Sequence, residues 1–330
     1  MNTADQILEK LKATKRPIKQ QYILQLASNS LPPGELTKLY LQLRKLGGKE
    51  LCLLAPEYRY MTARPRRVAA AKPQLTAHKE VGVIQVYETE GVPKAKKTFY
   101  VILSGKEGGF FIPFAAFLAN LPKAPKDLLV IRTGMERYYR DGIEGIGTTP
   151  YEVCRNIAKT YDTSSYERVV VIGISVGGIY ALRLGELLGA KIALSLAGVY
   201  AHDAFKLGQA VKAGSFAFDP LCNCRNSSDT RLINVFSTKN EFDHLASLRL
   251  KEIRPNVIQH QLLRARKHNV LAEMLDSGTL ALFLRVALAK PEFVLRVAGY
   301  ISNSLGGRIR KRRLKQGKQK VQSWYLKDRI

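Results

Sequence analysis

The chain has 330 residues, of which 46% are hydrophobic, enough for one large α/β domain with extensions. Its formal net charge of +26 indicates an anionic partner for at least one surface, unless the charge simply reflects a basic proteome. No apolar run is long enough to span a membrane, and the first residues lack the apolar core of a signal peptide. The sequence therefore predicts a cytoplasmic protein, with peripheral attachment to a membrane left open.

Residues 1–75 are predicted to be a helical extension. Apolar side chains recur at helical spacing from Ile7, the pattern breaks at Pro32-Pro33-Gly34, and a second helix ends at Gly47-Gly48. Two short helices packed as a hairpin fit this pattern. They could form a small separate domain, a dimerisation element or an addition to a larger core. The basic residues 64–67 then predict a linker.

The next region predicts strands over residues 81–87, 97–103 and 127–132, with a helix over 111–121. A long polar loop follows, at 134–150. We consider Arg137, Tyr138 and the adjacent Tyr139 and Arg140 as candidates for gripping an anionic or sugar-like group. The alternative is an exposed loop with two partly buried tyrosines. Residues 151–161 are then predicted to be a helix.

The most informative stretch runs from residue 166 to residue 199. A β-branched apolar run at 168–172 predicts a buried strand, and it leads directly into the sequence Gly173-Ile174-Ser175-Val176-Gly177. Helical spacing continues to Gly189, and residues 191–196 predict another strand. A serine between glycines, with a strand before and a helix after, is typical of a nucleophile elbow, a sharp turn that presents the serine. The alternative is an ordinary turn in which Ser175 caps the helix.

This order of elements resembles the α/β-hydrolase superfamily over about residues 80–290. The resemblance implies an α/β fold, with a mostly parallel central sheet and helices on both faces. It also implies that Ser175 is the nucleophile and that the backbone N–H groups of Val176 and Lys106 form an oxyanion hole. Many members have His-Gly where this chain has Ser104-Gly105, and this departure puts the Lys106 donor in doubt. Gly105 is expected at the substrate site.

The resemblance places a catalytic acid after the strand at 232–238, in the sequence KNEFDH. Asp243 is favoured over Glu241 and Asn240, since a short carboxylate keeps an imidazole tightly oriented. A base belongs between the last strand, 256–263, and the closing helical region, and His268 fits that position. His260 lies within the strand and is interpreted as a packed or surface residue.

These residues predict nucleophilic attack by Ser175 on the carbonyl of an ester or thioester, with His268 as the base. Either water or another acceptor then takes the acyl group, so a hydrolase and an acyltransferase are both open. No cofactor and no metal ion is expected. Cys222-x-Cys224 is an isolated pair without a second ligand cluster, and all four cysteines are expected to be free thiols.

The predicted organisation is therefore a helical extension at 1–75, an α/β-hydrolase core at 76–290 and a basic helix or tail at 291–330. Residues 198–228 show no strand pattern and are interpreted as a lid. The last 30 residues contain ten Lys or Arg and one acid, Asp328, and are a candidate arm for an anionic membrane surface or an acidic carrier protein. A solvated terminus is the alternative. Nucleic acid is a weaker candidate, because no zinc-finger or RNP-like signature accompanies the charge.

A second hypothesis from a different class is a catalytically inactive scaffold of the same fold that binds an anionic partner. The acid loop separates the two hypotheses. An acid that faces His268 favours the enzyme, whereas an acid that faces solvent favours the scaffold.

Overall fold

The computed structural model describes residues 3–16, 19–20, 23–24, 27, 31, 33–46, 77–81, 83–105, 108–112, 114–132, 139, 142–198, 229–262 and 268–289. The predicted basic linker at 64–67, the predicted tail at 291–330 and residues 199–228 of the predicted lid lie outside these ranges. Within them, no helix is both long enough and apolar enough to cross a membrane. Cys154 is the cysteine that falls within the described ranges, and it is a free thiol, as predicted.

The described strands form one eight-stranded sheet in the order β1-β2-β4-β3-β5-β6-β7-β8. At one edge, β1 pairs antiparallel with β2, and β2 pairs antiparallel with β4. The strands β3 to β8 are all parallel to one another. The predicted mostly parallel sheet is therefore confirmed. The strands are β1 (Ala77–Val81), β2 (Ile84–Glu88), β3 (Thr98–Leu103), β4 (Lys126–Ile131), β5 (Arg168–Ile174), β6 (Ile192–Leu196), β7 (Arg231–Ser237) and β8 (Ile258–Leu262).

The edge hairpin differs from the prediction of one strand over residues 81–87. β1 ends at Val81, β2 begins at Ile84, and these two residues are paired across the hairpin. The apolar alternation from Val81 to Val86 runs across this short connection and therefore conceals it. The sequence of β1, AHKEV, carries little apolar signal, because an edge strand does not need two buried faces.

Helices cover both faces of the sheet, as predicted. One buried cluster joins Tyr100 and Ile102 of β3 to helices near the beginning and the end of the described residues. The other cluster joins Phe99 and Val101, which point the opposite way, to the helices that flank the elbow. The helices are α1 (Ala4–Ala13), α2 (Pro33–Leu46), α3 (Phe114–Leu118), α4 (Pro150–Tyr161), α5 (Val176–Leu187), α6 (Glu241–Ile253), α7 (Val270–Asp276) and α8 (Leu280–Ala289).

The two N-terminal helices bury their apolar side chains in the same cluster as the sheet. Leu39, Tyr40 and Leu43 of α2 are almost fully buried, and the cluster that holds them also contains Phe110 and Phe114. α1 begins with a capping box, in which the Thr3 side chain accepts from the Gln6 backbone N–H. The helical extension therefore packs next to the segment that follows β3, close to where the candidate site begins.

Candidate active site

Ser175 lies at the sharp turn between β5 and α5, at the carboxyl edge of the parallel sheet. Its backbone angles, φ 52° and ψ −116°, are sparsely populated by residues with a side chain, and such geometry costs about 1–3 kcal/mol. Hydrogen bonds on both sides hold it there: Ser175 N–H donates to the Leu196 carbonyl at 2.9 Å, and Gly178 N–H donates to the Ser175 carbonyl at 2.8 Å. The surrounding backbone therefore fixes the serine in the orientation that the turn requires.

The flanking glycines are required by close backbone contacts. A Cβ atom added at Gly173 would lie 2.0 Å from the Gly177 carbonyl oxygen, and one added at Gly177 would lie 2.7 Å from the Ser104 carbonyl oxygen. Neither position has space for a side chain unless the backbone moves. The alternative role for Ser175 was a helix cap, but its side chain makes no capping hydrogen bond to α5.

The Ser175 hydroxyl instead contacts His268. The Oγ atom lies 2.7 Å from His268 Nε2, and the other ring nitrogen, Nδ1, lies 2.5 Å from Asp243 Oδ1. The Asp243 side chain is completely buried, whereas 31% of the His268 side chain is exposed. The structure therefore brings together a serine, an imidazole and a carboxylate in the order that proton transfer from a nucleophilic serine requires.

The local geometry of α6 assigns different positions to the three residues considered for the acid. Asn240 is the N-cap of α6, and its side chain accepts from the Asp243 backbone N–H at 3.1 Å. Glu241 is exposed to solvent in the first turn of the helix. Asp243 is the one of the three that faces His268, since its side chain is buried and its Oδ1 atom lies next to Nδ1 of the ring.

A polar network that the sequence did not reveal holds α6 on the sheet. Gln259 of β8 accepts from the Ser247 hydroxyl at 2.8 Å and from the Asn234 amide of β7 at 3.0 Å. Its own amide donates to the Ser247 carbonyl at 3.2 Å. Ser247 lies one helical turn after Asp243, so Gln259 fixes the helix that carries the carboxylate. The residues lie far apart in the sequence, and no local pattern links them.

A second set of contacts positions His268. The Asn269 amide donates to the Phe111 carbonyl at 2.9 Å, and the Asn269 Oδ1 atom accepts from Ala272 N–H and caps α7. The Phe111 ring meets the His268 imidazole edge-on, with 5.1 Å between ring centroids. The segment after β3 and the residue after His268 are thus joined on one side of the site.

The predicted oxyanion hole is described in part. Val176 is the first residue of α5, and backbone N–H groups in the first turn of a helix have no partner within the helix. A Cβ atom added at Gly105 would lie 3.4 Å from Ser175 Cβ, so the loop after β3 passes directly beside the serine. The Gly105 N–H donates to the Gly109 carbonyl at 2.7 Å. Lys106 lies outside the described residues, and its role stays a prediction.

The structure describes only part of the proposed substrate loop. Arg137, Tyr138 and Arg140 lie outside the described residues, but Tyr139 is only 2% exposed. Its hydroxyl lies 3.0 Å from the Ser104 carbonyl oxygen and 3.1 Å from the Ile131 carbonyl oxygen. Of the two interpretations, Tyr139 fits the buried tyrosine and not the group that grips substrate, because the phenol is enclosed and bonded to the backbone. The sequence placed it in a polar loop, and the pattern of that loop gave no sign of a bond to the Ser104 carbonyl, 35 residues away.

His260 lies apart from this arrangement. It is buried within β8, as the packed alternative predicted, and its ring packs against Phe283 with 5.1 Å between centroids. Burial lowers the pKa of this imidazole to about 4, so it is neutral near pH 7.

No family model matches the sequence, and no curated protein matches it. Solved structures with a similar fold include carboxylesterase CesB from Bacillus subtilis, which is 9% identical with a TM-score of 0.43 and covers 70% of this chain and 97% of its own. Fluorophosphonate-binding serine hydrolase F from Staphylococcus aureus is 11% identical with a TM-score of 0.41, over 60% of this chain and 93% of its own. An α/β serine hydrolase without a lid from Xanthomonas campestris is 13% identical with a TM-score of 0.41. The match covers 66% of this chain and 98% of the hydrolase. Such values are too low to assign an activity, and it is the chain's own sheet and elbow that make its fold α/β-hydrolase-like.

Proposed function

We propose that this protein is a serine hydrolase or acyltransferase that acts on an ester or thioester through Ser175, Asp243 and His268. The observation that carries the proposal is the continuous contact from the Ser175 hydroxyl through both nitrogens of His268 to the buried Asp243 carboxylate. A serine hydroxyl is a weak nucleophile unless a base removes its proton, and the His268 ring is within reach to do so.

In this mechanism, Ser175 Oγ attacks the acyl carbonyl while its proton moves to His268 Nε2. Asp243 holds the ring in the tautomer that leaves Nε2 free to accept, and it stabilises the imidazolium that forms. In this proposal, the backbone N–H groups of Val176 and Lys106 donate hydrogen bonds to the carbonyl oxygen and stabilise the negative charge that develops on it. His268 then returns the proton to the leaving group, which departs from the acyl-enzyme.

Release of the acyl group from Ser175 decides between hydrolysis and transfer. Water that is deprotonated by His268 gives a free acid, whereas an alcohol or amine gives a new ester or amide. The partly exposed edge of the imidazole is open to either acceptor. The strong positive charge of the chain suits an anionic substrate, such as an acyl group on an acidic carrier protein.

Turnover of short acyl esters and thioesters by the purified full-length chain tests the proposal. We expect wild type to release product and Ser175→Ala to lose turnover completely. Turnover in the presence of added alcohols or amines separates the two outcomes, because an acyltransferase forms the new ester or amide faster than the free acid. Equal product release by wild type and Ser175→Ala would overturn the proposal.

The inactive scaffold is the second candidate, and the charge of +26 is the observation that favours it. In that case the fold serves to present a basic surface, and the last residues serve as an arm for an anionic lipid or an acidic protein. Binding of the full chain to vesicles that contain phosphatidylserine, with and without residues 305–330, tests the arm. We expect deletion to abolish binding, and in this case neither the full chain nor the shortened chain turns over esters. Unchanged binding after deletion would rule out the arm.

A further inference from the structure

The loop that passes beside Ser175 is held at both of its ends by side chains from outside it. Gly105 N–H donates to the Gly109 carbonyl and closes the loop at 2.7 Å. Tyr139 contacts the carbonyl that precedes Gly105, and Arg132 contacts the carbonyl of Gly108. Both side chains therefore act on the described backbone on either side of residues 106 and 107, where the second oxyanion donor is expected.

Tyr139 fixes the first end of the loop. Its hydroxyl has one proton, which the carbonyl oxygens of Ser104 and Ile131 share at 3.0 and 3.1 Å. The Ser104 Oγ atom lies 3.2 Å from the same phenol oxygen and is placed to donate to it. Burial raises the pKa of this phenol, so it remains a protonated donor throughout the neutral pH range.

The Ser104 carbonyl is also close to the backbone of the elbow. A Cβ atom at Gly177 would lie 2.7 Å from it, so this oxygen packs directly on the backbone of the elbow. A carbonyl held between a phenol and the first turn of α5 has little freedom to rotate. The peptide that links Ser104 to Gly105 is thereby fixed relative to Ser175.

Arg132 fixes the second end of the loop. Its Nη1 atom donates to the Gly108 carbonyl at 2.8 Å, and its Nε atom donates to Gln85 Oε1 at 2.8 Å. The guanidinium carbon lies 4.9 Å from the centre of the Phe110 ring. The two hydrogen bonds and the contact with the Phe110 ring hold the planar guanidinium in one orientation. Its bond to the Gly108 carbonyl therefore fixes this end of the loop.

We propose that Tyr139 and Arg132 are positioning residues that hold the backbone at Ser104-Gly105 and at Gly108, on either side of the expected oxyanion donor, in place beside Ser175. Neither residue touches the reacting atoms. Their effect is on the backbone that stabilises the transition state, and the inference therefore rests on the proposed serine chemistry. Oxyanion stabilisation depends on donors that are in place before the charge develops. A variant in which the loop is less firmly held should therefore have a lower kcat, even though its nucleophile and base are intact.

The test compares Tyr139→Phe with Tyr180→Phe. The two rings are stacked with centroids 5.5 Å apart, and both are buried. The Tyr180 hydroxyl has no hydrogen-bond partner among the described residues, so its removal is a matched control for the loss of one buried hydroxyl. Arg132→Lys is the second test variant, since lysine keeps the charge but cannot form both directed bonds.

We expect Tyr139→Phe to lower kcat by about 10- to 100-fold, less than the loss of a whole oxyanion donor, with KM within about twofold of wild type. The affinity for a trifluoromethyl ketone, which forms an oxyanion when it adds to the serine, should fall by the same factor as kcat/KM. Arg132→Lys should show the same pattern, and Tyr180→Phe should match wild type. The pH dependence of kcat/KM should not move in any variant, because Ser175, His268 and Asp243 are untouched.

The inference is overturned if Tyr139→Phe retains wild-type kcat, or if both tyrosine variants lose activity equally. It is also overturned if kcat falls without a parallel loss of affinity for the ketone, since the loss would then be a general loss of structure. If Tyr139→Phe does not fold, Arg132→Lys decides by the same criteria. A folded wild type that turns over no ester or thioester overturns the proposed function, and the inference with it. An active wild type with an unaffected Tyr139→Phe overturns the inference alone.

Discussion

Asp243 is completely buried, yet its carboxylate lies 2.5 Å from Nδ1 of the partly exposed His268 ring. This asymmetry suits a catalytic pair, because the carboxylate is shielded from water while the imidazole remains open to substrate. The Asn240 cap and the Gln259 network account for the burial, since both hold α6 in the position that points Asp243 inward.

Substitution of the buried carboxylate should abolish most of the activity. In Asp243→Asn the amide can donate to Nδ1, which stabilises the tautomer that cannot accept the serine proton. We expect kcat to fall by about 10³- to 10⁴-fold, measured by steady-state ester turnover. Glu241→Gln is the matched control, because this acid lies two residues away and is exposed. Equal losses in the two variants would contradict the assignment of Asp243.

The elbow should tolerate no added methyl group at Gly177. A Cβ atom there meets the Ser104 carbonyl oxygen at 2.7 Å and should displace the loop that supplies the oxyanion donor. We expect Gly177→Ala to lower kcat sharply. Gly189→Ala is the comparison, because φ there is +60° but a Cβ atom would meet nothing within 4 Å. That variant should cost about 1–2 kcal/mol of stability and leave kcat unchanged. If Gly177→Ala kept its kcat and Gly189→Ala lost it, the close contact at Gly177 would have no role in activity.

The buried His260 should make stability depend on pH. Burial lowers the pKa of this imidazole from its usual value of 6.5 to about 4, so between these pH values the unfolded chain binds more protons than the folded chain. Stability should therefore fall as the pH drops from 6.5 towards 4, by up to about 3 kcal/mol from this group. His260→Leu should flatten this part of the profile, measured by urea unfolding at several pH values. An identical pH dependence in the variant would contradict the expectation.

The N-terminal helices should contribute to the stability of the core. Leu39 of α2 is 0% exposed and belongs to the cluster that contains Phe110 and Phe114. We expect Leu39→Ala to lower the free energy of unfolding by about 2–5 kcal/mol. Leu41, two residues away, is 40% exposed, and Leu41→Ala should change the free energy of unfolding by less than about 0.5 kcal/mol. Chemical unfolding of both variants measures the difference, and similar values would show that the helices fold apart from the core.

The sequence predicted the parts of the fold that depend on local pattern. The strand, turn and helix around Ser175 follow from apolar periodicity and from glycines at close contacts, and all of them lie within one short stretch. β1 was missed because an edge strand needs no continuous apolar run. The position of Asp243 could not be separated from Glu241 and Asn240 by spacing, because it depends on which residue caps α6. Tyr139 contacts Ser104, and Gln259 contacts Asn234 and Ser247, across separate elements that only the folded chain brings together.

The most direct test of the central claim is covalent labelling of the folded protein by a fluorophosphonate probe, with the modified peptide identified by mass spectrometry. The account predicts one adduct, on Ser175. Labelling should be absent in Ser175→Ala and strongly slowed in His268→Ala, because the hydroxyl then has no base. Wild type that is folded but unlabelled, or that is labelled equally well without His268, would contradict an activated serine and would favour the scaffold that binds an anionic partner.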